Sequence, residues 1–222
     1  MHVELVNRKA FTKSLHTATR AALICTGNEN TARAVELYRN DDLRKDFLLG
    51  LIKKEHLSIL EHINLTFEVR GVSRALLQEL ARHRHISLSV KSTRYTMGKL
   101  TDEEIDSIAQ EMKGHIQYSD NVIAAVSEEL CCLTERIAEN LKAVMYLKRE
   151  DNLPPDFVKY FLPEFLSTNL MLTLNARELR HILNIRSAPS ALLEFRKLTR
   201  ALYKAIPEKH QWLFSDCMHY DG

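Results

Sequence analysis

The sequence predicts a mixed α/β chain that combines short strands with amphipathic helices. Apolar and polar side chains alternate at residues 63–69, 86–90 and 170–174. Because neighbouring side chains of a strand point to opposite faces, this alternation predicts half-buried strands. Apolar side chains three and four residues apart mark helices, and two of these, at 105–116 and about 120–148, are consecutive. The consecutive pair predicts a helical hairpin.

Length and charge limit what this chain is expected to do. Its 222 residues suffice for one sizeable domain, and we predict a single domain over residues 1–222. The apolar content of 45% and the charged content of 27% are ordinary for a soluble globular protein. The net charge of +2 provides no global field that would draw the chain to nucleic acid or membrane. Any anion site must therefore come from a local cluster.

Three absences from the sequence narrow the class of protein further. No apolar run approaches the ~20 residues that span a bilayer, and the N-terminus lacks the pattern of a signal peptide. The four cysteines include no Cys-x-x-Cys pair, which suits a reducing cytoplasm. The sequence also lacks a Gly-x-Gly-x-x-Gly or Gly-Lys-Ser/Thr motif, and this argues against a Rossmann or P-loop nucleotide site.

Each element follows from its local pattern. The first half of the chain predicts a strand at 3–6, a turn at 26–28, helices at 31–39 and 43–52, a strand at 63–69 and a helix at 74–81 with Ser73 as its N-cap. The second half predicts a capping box at 101–104 before the hairpin, a short helix at 157–162, a strand at 170–174, a helix from the N-cap Asn175 to 186, and a last helix from Pro189.

The segment Arg82–Tyr95 concentrates basic and hydroxyl side chains around a short strand. Its two cationic ends, Arg82/Arg84 and Lys91/Arg94, are about seven residues apart. They could therefore bind anionic groups on the order of 20 Å apart, or two different ligands. Arginine suits this role because its planar fork binds phosphate through two hydrogen bonds. On composition alone, a solvated basic face is the favoured interpretation, and a basic ribbon that binds nucleic acid is the rival one.

The order of residues in this segment resembles the motif of the flavin-dependent thymidylate synthases, Arg-His-Arg-x-x-Ser-x-Asn-x-x-Ser-x-Arg. Every fixed position matches except Ser89, which stands where the family has asparagine. A Glu61-His62 pair that enters a Thr-Phe strand resembles a second patch of the family. A third patch is Asn-Ala-Arg at 175–177, followed by an arginine nine residues later.

The resemblance implies two sets of binding residues. The expected FAD contacts are Ser58, Arg82, His83, Arg84, Asn175, Arg177 and His181, with His56 near flavin and folate. The expected dUMP contacts are Glu79, Arg82, Val90, Lys91, Ser92, Thr93, Arg94, Lys159 and Arg186, and Arg186 is the expected catalytic residue. Besides Ser89, three positions depart from the family: Glu79 replaces a glutamine, Val90 an often acidic residue, and Lys159 an arginine. Without the resemblance, Lys159 is equally compatible with a solvated lysine. No metal site is expected, because no further ligand cluster lies near His56, Glu61 and His62.

The same resemblance implies a fold and a reaction. The fold is that of the thymidylate synthase-complementing proteins, an α/β (α+β) arrangement with a small central mixed sheet flanked by helices and a helical-hairpin extension. The reaction is the reductive methylation of dUMP to dTMP, with 5,10-methylenetetrahydrofolate as carbon donor and NADPH as reductant through bound FAD. The expected assembly is a homotetramer with active sites shared between subunits, located in the cytoplasm, with no nucleic-acid or membrane partner.

Overall fold

The computed structural model describes residues 1–93, 101, 103, 127–150, 154–162, 164 and 166–219. Its strands and helices follow in the order β1 (His2–Leu5), α1 (Arg8–Cys25), α2 (Ala32–Arg39), α3 (Asp41–Lys53), β2 (Asn64–Ser73), α4 (Arg74–Ala81), β3 (Ile86–Val90), α5 (Ser127–Glu150), α6 (Pro155–Val158), β4 (Ser167–Asn175), α7 (Ala176–Arg186) and α8 (Leu193–Ala205). Short 3-10 helices cover Leu57–His62, Lys159–Phe161, Glu208–Leu213 and Ser215–Cys217.

The four strands form one sheet with the order β1-β2-β4-β3. β1 pairs antiparallel with β2. Between β2 and β4, Thr173 donates a hydrogen bond to Thr66, and the Gly71 N–H donates to the Asn169 side chain. Residue numbers therefore rise on β2 as they fall on β4, which makes this pair antiparallel as well. The predicted α/β class with a small sheet accompanied by helices is confirmed, although both of these strand pairs are antiparallel where a mixed sheet was expected.

The chain divides into two compact units. The first comprises Met1–Arg70, Glu79–Ser89 and Leu170–Gly222, and the second comprises Gly71–Gln78 and Val90–Asn169. The prediction that residues 1–222 form a single domain stays a prediction.

The core of the first unit comes from the inward faces of β2, α7 and α8. The helix α8 contacts both α7 and β1. The buried apolar side chains of β2, α7 and α8 include Leu65, Phe67, Val69, Leu179, Ile182, Leu183, Phe195, Leu198 and Leu202. Burying one such side chain stabilises the fold by roughly 1.5–3 kcal/mol, so this core holds α7 in place. The helix α7 supplies much of the candidate site.

The second unit has a core of its own on the helix α5. Leu141, Val144 and Met145 of α5 pack with Leu166. Ile137 and Leu162 pack against this cluster. The spacing of Ile137, Leu141 and Val144 fits the predicted stripe of the long helix, so the described part of that prediction is confirmed.

The predicted N-caps Ser73 and Asn175 and the predicted strand at 86–90 can each be compared with the structure. The Ser73 hydroxyl accepts a hydrogen bond from the Leu76 N–H at 3.0 Å, and Asn175 Oδ1 accepts from the Glu178 N–H at 2.8 Å. Both are side-chain caps of the kind that satisfies an orphan N–H at a helix start. In β3 (Ile86–Val90), alternate residues are half-buried and exposed, so the strand predicted from period-two alternation is also confirmed.

The last helix begins later than predicted. Pro189 is the predicted start of this helix, but α8 begins at Leu193. Leu192 has extended dihedrals, φ −50° and ψ 130°, so helical geometry starts only after it. Phe195 and Leu198 face inward, whereas Leu192 is exposed.

Part of the predicted hairpin lies outside the described residues. The helix at 105–116 falls there, as do residues 102 and 104 of its capping box and the start of the second helix before residue 127. No helix in the described part of the chain combines the length and the apolar character that crossing a bilayer requires.

Candidate active site

Arg186 is held on three sides inside the first unit. It ends the helix α7. Its Nη1 donates to Glu79 Oε2 at 3.0 Å, and its Nε donates to His83 Nε2 at 3.2 Å. Its guanidinium carbon lies 4.9 Å from the centre of the Phe195 ring, within reach of a cation–π contact. These contacts fix the side chain in one orientation.

Glu79 joins Arg186 to a second arginine. Its Oε1 accepts a hydrogen bond from Arg82 Nη1 at 3.1 Å. This bond to Arg82 holds the pKa of the Glu79 carboxyl below its ordinary value, and Arg186 acts in the same direction. The carboxylate therefore remains ionised at neutral pH. The Glu79 carboxylate is thus shared by Arg82 and Arg186, both of which are expected to bind dUMP.

His83 lies behind Arg186 and is buried. Its Nδ1 is 3.2 Å from Glu178 Oε1, and its ring contacts the rings of His181 and Phe195 edge-on. Burial lowers the pKa of the imidazole and the charge of Arg186 lowers it further, while the Glu178 carboxylate opposes both. The net shift is downward, so His83 is neutral at physiological pH.

A cleft of about 840 Å³ runs along the first turns of α7. The side chains that line it are Leu57, Glu61, His85, Asn175, Arg177, Glu178, Arg180, His181, Asn184, Asp216 and Cys217. It brings together Asn175, Arg177 and His181, three of the expected FAD contacts. In the first turn of α7, the Ala176 N–H donates to the Ile63 carbonyl at 2.8 Å and the Glu178 N–H donates to Asn175. The attraction of this end for an anion therefore rests on the helix dipole and on the charge of Arg177.

The arginines of this cleft hold carboxylates of the chain itself. Arg177 Nη1 donates to Glu61 Oε1 at 2.6 Å. Arg180 donates hydrogen bonds to both carboxylate oxygens of Asp216, at 2.7 and 2.5 Å. The side chain of Arg180 is 12% exposed, whereas that of Arg177 is 52% exposed. The Arg180 pair is thus a structural tie between α7 and the C-terminal segment, while Arg177 remains accessible to a ligand that displaces Glu61.

Cys217 in the same cleft is not a reactive thiolate. Burial is the main cause that raises the pKa of its thiol, to about 11. The thiolate is the nucleophilic form of cysteine, so Cys217 is unreactive at neutral pH. Among the residues that the structure describes, no three His, Cys, Asp or Glu side chains are grouped so that they could hold a metal ion.

The second unit contains a separate cleft of about 560 Å³. Its lining comprises Arg74, Leu77, Gln78, Val90, Lys91, Ser92, Thr93, Lys159, Leu162 and Glu164. Five expected dUMP contacts, Val90, Lys91, Ser92, Thr93 and Lys159, therefore meet in one place.

Backbone hydrogen bonds fix the wall of this second cleft. The Lys91 N–H donates to the Asn169 carbonyl at 2.9 Å. The Lys91 carbonyl lies 3.4 Å from Arg74 Nη2, which donates to it. Arg74 and Lys159 place further positive charge in the same cleft. The cleft is thus a cationic, hydroxyl-bearing pocket of the kind that binds a phosphate.

The other expected site residues lie elsewhere. Ser58 and His56 are exposed in and before the 3-10 helix Leu57–His62, and Arg84 is exposed before β3. Within the described residues, none of these three lines either cleft. His83 also stands outside the lining, because it is buried behind Arg186. Arg94 lies outside the described residues.

Four residues make contacts at the site that the sequence did not reveal. Glu178 stands three residues after the N-cap Asn175, where a glutamate is expected to complete a capping box, and this ordinary interpretation hides its contact with His83. Glu61 carries no signal of its partner Arg177, 116 residues away. Phe195 looks like a core residue, and Arg74 like a helix-start residue.

The chain is similar to known proteins over nearly all of its length. The family model described as thymidylate synthase complementing protein matches residues 5–210. A flavin-dependent thymidylate synthase of Campylobacter jejuni (strain RM1221) is 41% identical over 169 residues, which cover 76% of this chain and 78% of that protein. One of Wolinella succinogenes is 42% identical over 171 residues, covering 77% and 78%.

A solved structure is similar as well. It is the crystal structure of the flavin-dependent thymidylate synthase of Helicobacter pylori complexed with FAD and dUMP. The TM-score is 0.74 at 30% sequence identity, and the match covers 99% of this chain and 100% of that one.

Proposed function

The chain belongs to the thymidylate synthase complementing protein family, the flavin-dependent thymidylate synthases, and from this premise we propose how its residues share the work. It is an FAD-dependent thymidylate synthase that converts dUMP to dTMP. The observation that carries the proposal is the guanidinium of Arg186, held by Glu79, His83 and Phe195.

The proposal extends to the co-substrates and the assembly. The carbon donor is 5,10-methylenetetrahydrofolate and the reductant is NADPH, as the relationship to the family implies. The protein acts in the cytoplasm as a homotetramer whose active sites draw residues from more than one subunit. Because sites of this kind combine chains, the proposal does not require all dUMP contacts to come from one copy.

Arg186 has the electrostatic role. Its guanidinium contacts the pyrimidine and stabilises the negative charge that develops on the uracil when C5 becomes nucleophilic. Glu79 and His83 hold the donor in place before the substrate arrives, so that little reorganisation is needed during the reaction. Bound FAD supplies the hydride that reduces the transferred carbon group to a methyl.

The FAD site lies in the cleft along α7. The fit is supported by the residues present: a cleft of about 840 Å³, a capped helix N-terminus, and the side chains of Asn175, Arg177 and His181. Arg177 meets the cofactor's phosphate in exchange for Glu61. Ser58, His56, Arg82 and Arg84 complete the FAD site in this proposal, and His83 supports it from behind Arg186.

The phosphate of dUMP is bound by the cleft of the second unit. Lys91 and Lys159 supply positive charge, Ser92 and Thr93 supply hydroxyl and backbone donors, and Val90 contributes backbone alone. Lys159 attracts a phosphate as a point charge, without the two-bond geometry of the family's arginine. Arg94 belongs to the same set.

This division of work needs no cysteine nucleophile. The thymidylate synthases that use a thiol need an activated one, and the Cys217 thiol has a pKa of about 11. Arg186 provides the activation of the pyrimidine through charge instead. Electrostatic stabilisation of this type is often the largest single contribution to an enzyme's rate.

Flavin content tests the proposal. The purified protein is expected to be yellow and to release FAD rather than FMN on denaturation, because the cleft presents groups for a dinucleotide's phosphates as well as its ring. Chromatography of the released flavin provides the measurement. The proposal is wrong if the folded protein is colourless and cannot be reconstituted with FAD. It is also wrong if the protein instead binds nucleic acid with a steep salt dependence.

A further inference from the structure

The two ring nitrogens of His83 face different partners, and these partners determine where its proton lies. Arg186 Nε is always a donor, and it lies 3.2 Å from His83 Nε2, so Nε2 must accept. The opposite nitrogen, Nδ1, lies 3.2 Å from Glu178 Oε1. A neutral imidazole that accepts at Nε2 carries its proton on Nδ1 and donates it to the carboxylate.

Glu178 is well placed to impose this tautomer. Its side chain is 10% exposed and that of His83 is 5% exposed, so water competes little for their hydrogen bond. Glu178 and Arg186 are both on α7, eight residues and roughly 12 Å apart along the helix. One helix therefore supplies the carboxylate on one side of His83 and the guanidinium on the other.

We propose that Glu178 is a positioning residue, which fixes the Nδ1–H tautomer of His83 and thereby holds the guanidinium of Arg186 in the orientation that meets the uracil. This inference rests on the proposed function of Arg186. Glu178 contacts neither the pyrimidine nor the reacting carbon in this account. It acts through His83, as the carboxylate partner of a histidine generally fixes its tautomer and orientation.

The proposed role of His83 predicts that the activity depends on pH. The facing groups are Glu178 and His181 from α7, Arg186 at its end, and Glu79 of α4 beyond Arg186; α8 contributes the apolar Phe195. If His83 takes up a second proton, its Nε2–H points at the Nε–H of Arg186 and their hydrogen bond is lost. Activity should therefore fall at low pH, below the ordinary histidine pKa of 6.5, because the pKa of His83 is shifted downward.

Glu178→Gln tests the inference. An amide can accept from Nδ1–H or donate to Nδ1, so only the Nε–H of Arg186 then favours the Nδ1–H tautomer. With His83 and Arg186 held by one partner fewer, kcat/KM for dUMP should fall on the order of 10- to 100-fold, as a small misplacement of a catalytic group does. The carboxylate is also the group that raises the pKa of His83. Without it, the acid limb of the pH profile should move to lower pH. FAD content is measured beside the rate because Glu178 also lines the cleft along α7, and loss of FAD alone would not move the acid limb.

Two further variants complete the experiment. Glu178→Asp restores the carboxylate and should return the acid limb towards its wild-type position and recover part of the rate. Asp41→Asn is the matched control: it changes a carboxylate that pairs with the buried Arg44 of the same unit, away from both clefts proposed to bind ligand, and should leave the pH profile unchanged. If Glu178→Gln keeps the wild-type rate and profile, or loses FAD with an unshifted profile, the inference is wrong.

A measurement on the wild-type protein keeps the inference testable even if Glu178→Gln does not fold. In ¹⁵N-histidine-labelled protein, solid-state NMR should show one ring, absent from His83→Gln, that is neutral and protonated at Nδ1 at pH 8. A ring protonated at Nε2, or at both nitrogens, would overturn the inference. Failure of the wild-type protein to make thymidylate would instead count against the proposed function.

Discussion

Arg186→Lys is expected to reduce thymidylate formation on the order of 100-fold or more, the usual cost of removing a preorganised donor that stabilises developing charge. Lysine keeps the positive charge. It cannot, however, donate to Glu79 and His83 through two nitrogens of one plane and still face the pyrimidine. The measurement is dTMP formation beside dUMP-dependent oxidation of NADPH, and both should fall together.

The matched control is Arg70→Lys. Arg70 bonds a glutamate in the same unit, at 2.8 Å from Glu68, but lies outside both clefts, so its replacement should leave the rate unchanged. FAD content of Arg186→Lys should stay near the wild-type value. An unchanged rate would mean that Arg186 is an ordinary helix residue, and loss of FAD would assign it to the flavin site.

Arg177→Ala is expected to weaken FAD binding about 10-fold. Hydrogen bonds that involve a charged group are worth roughly 1.5–3 kcal/mol, and we expect the lower end because half of the Arg177 side chain is exposed. Titration of flavin-stripped protein with FAD, followed by fluorescence quenching, measures the dissociation constant. Arg39→Ala, at an exposed arginine of α2, is the control that should bind FAD normally.

Glu61→Gln is the companion variant and should act in the opposite direction. It removes the charge that competes for Arg177 at 2.6 Å, so the cofactor's phosphate meets a less engaged guanidinium. FAD should bind as tightly as in the wild-type protein or a few-fold more tightly. If both variants weaken binding equally, the Arg177–Glu61 pair supports the local fold, and Arg177 is not a phosphate ligand.

Local pattern was sufficient for much of the fold. Asn175 and Ser73 were identifiable as N-caps because their function depends on the next three residues alone. The strand β3 followed from alternation over five residues. In contrast, α1 (Arg8–Cys25) was not recognised as a helix, and its capping position Asn7 makes no side-chain hydrogen bond to the first turn. Pro189 was taken as a helix start, although α8 begins only after the extended residue Leu192.

The candidate site was predictable only where residues act through a linear motif. The order of residues in the motif identified the arginines, but it carries no information about their partners within the chain. Arg186 meets Glu79 and His83 across 107 and 103 residues, and such pairs arise only once the chain has folded. Glu178 is the clearest case, since its position in the sequence predicts a capping role.

Thymidylate formation by flavin-stripped protein, with and without added FAD, tests the central claim most directly. The assay contains dUMP, 5,10-methylenetetrahydrofolate and NADPH, and dTMP is measured by chromatography. We expect dTMP only after FAD is restored, because the chain's own residues bind and polarise the pyrimidine but supply no hydride. Equal dTMP formation without flavin, or none from folded protein loaded with FAD, would contradict the account.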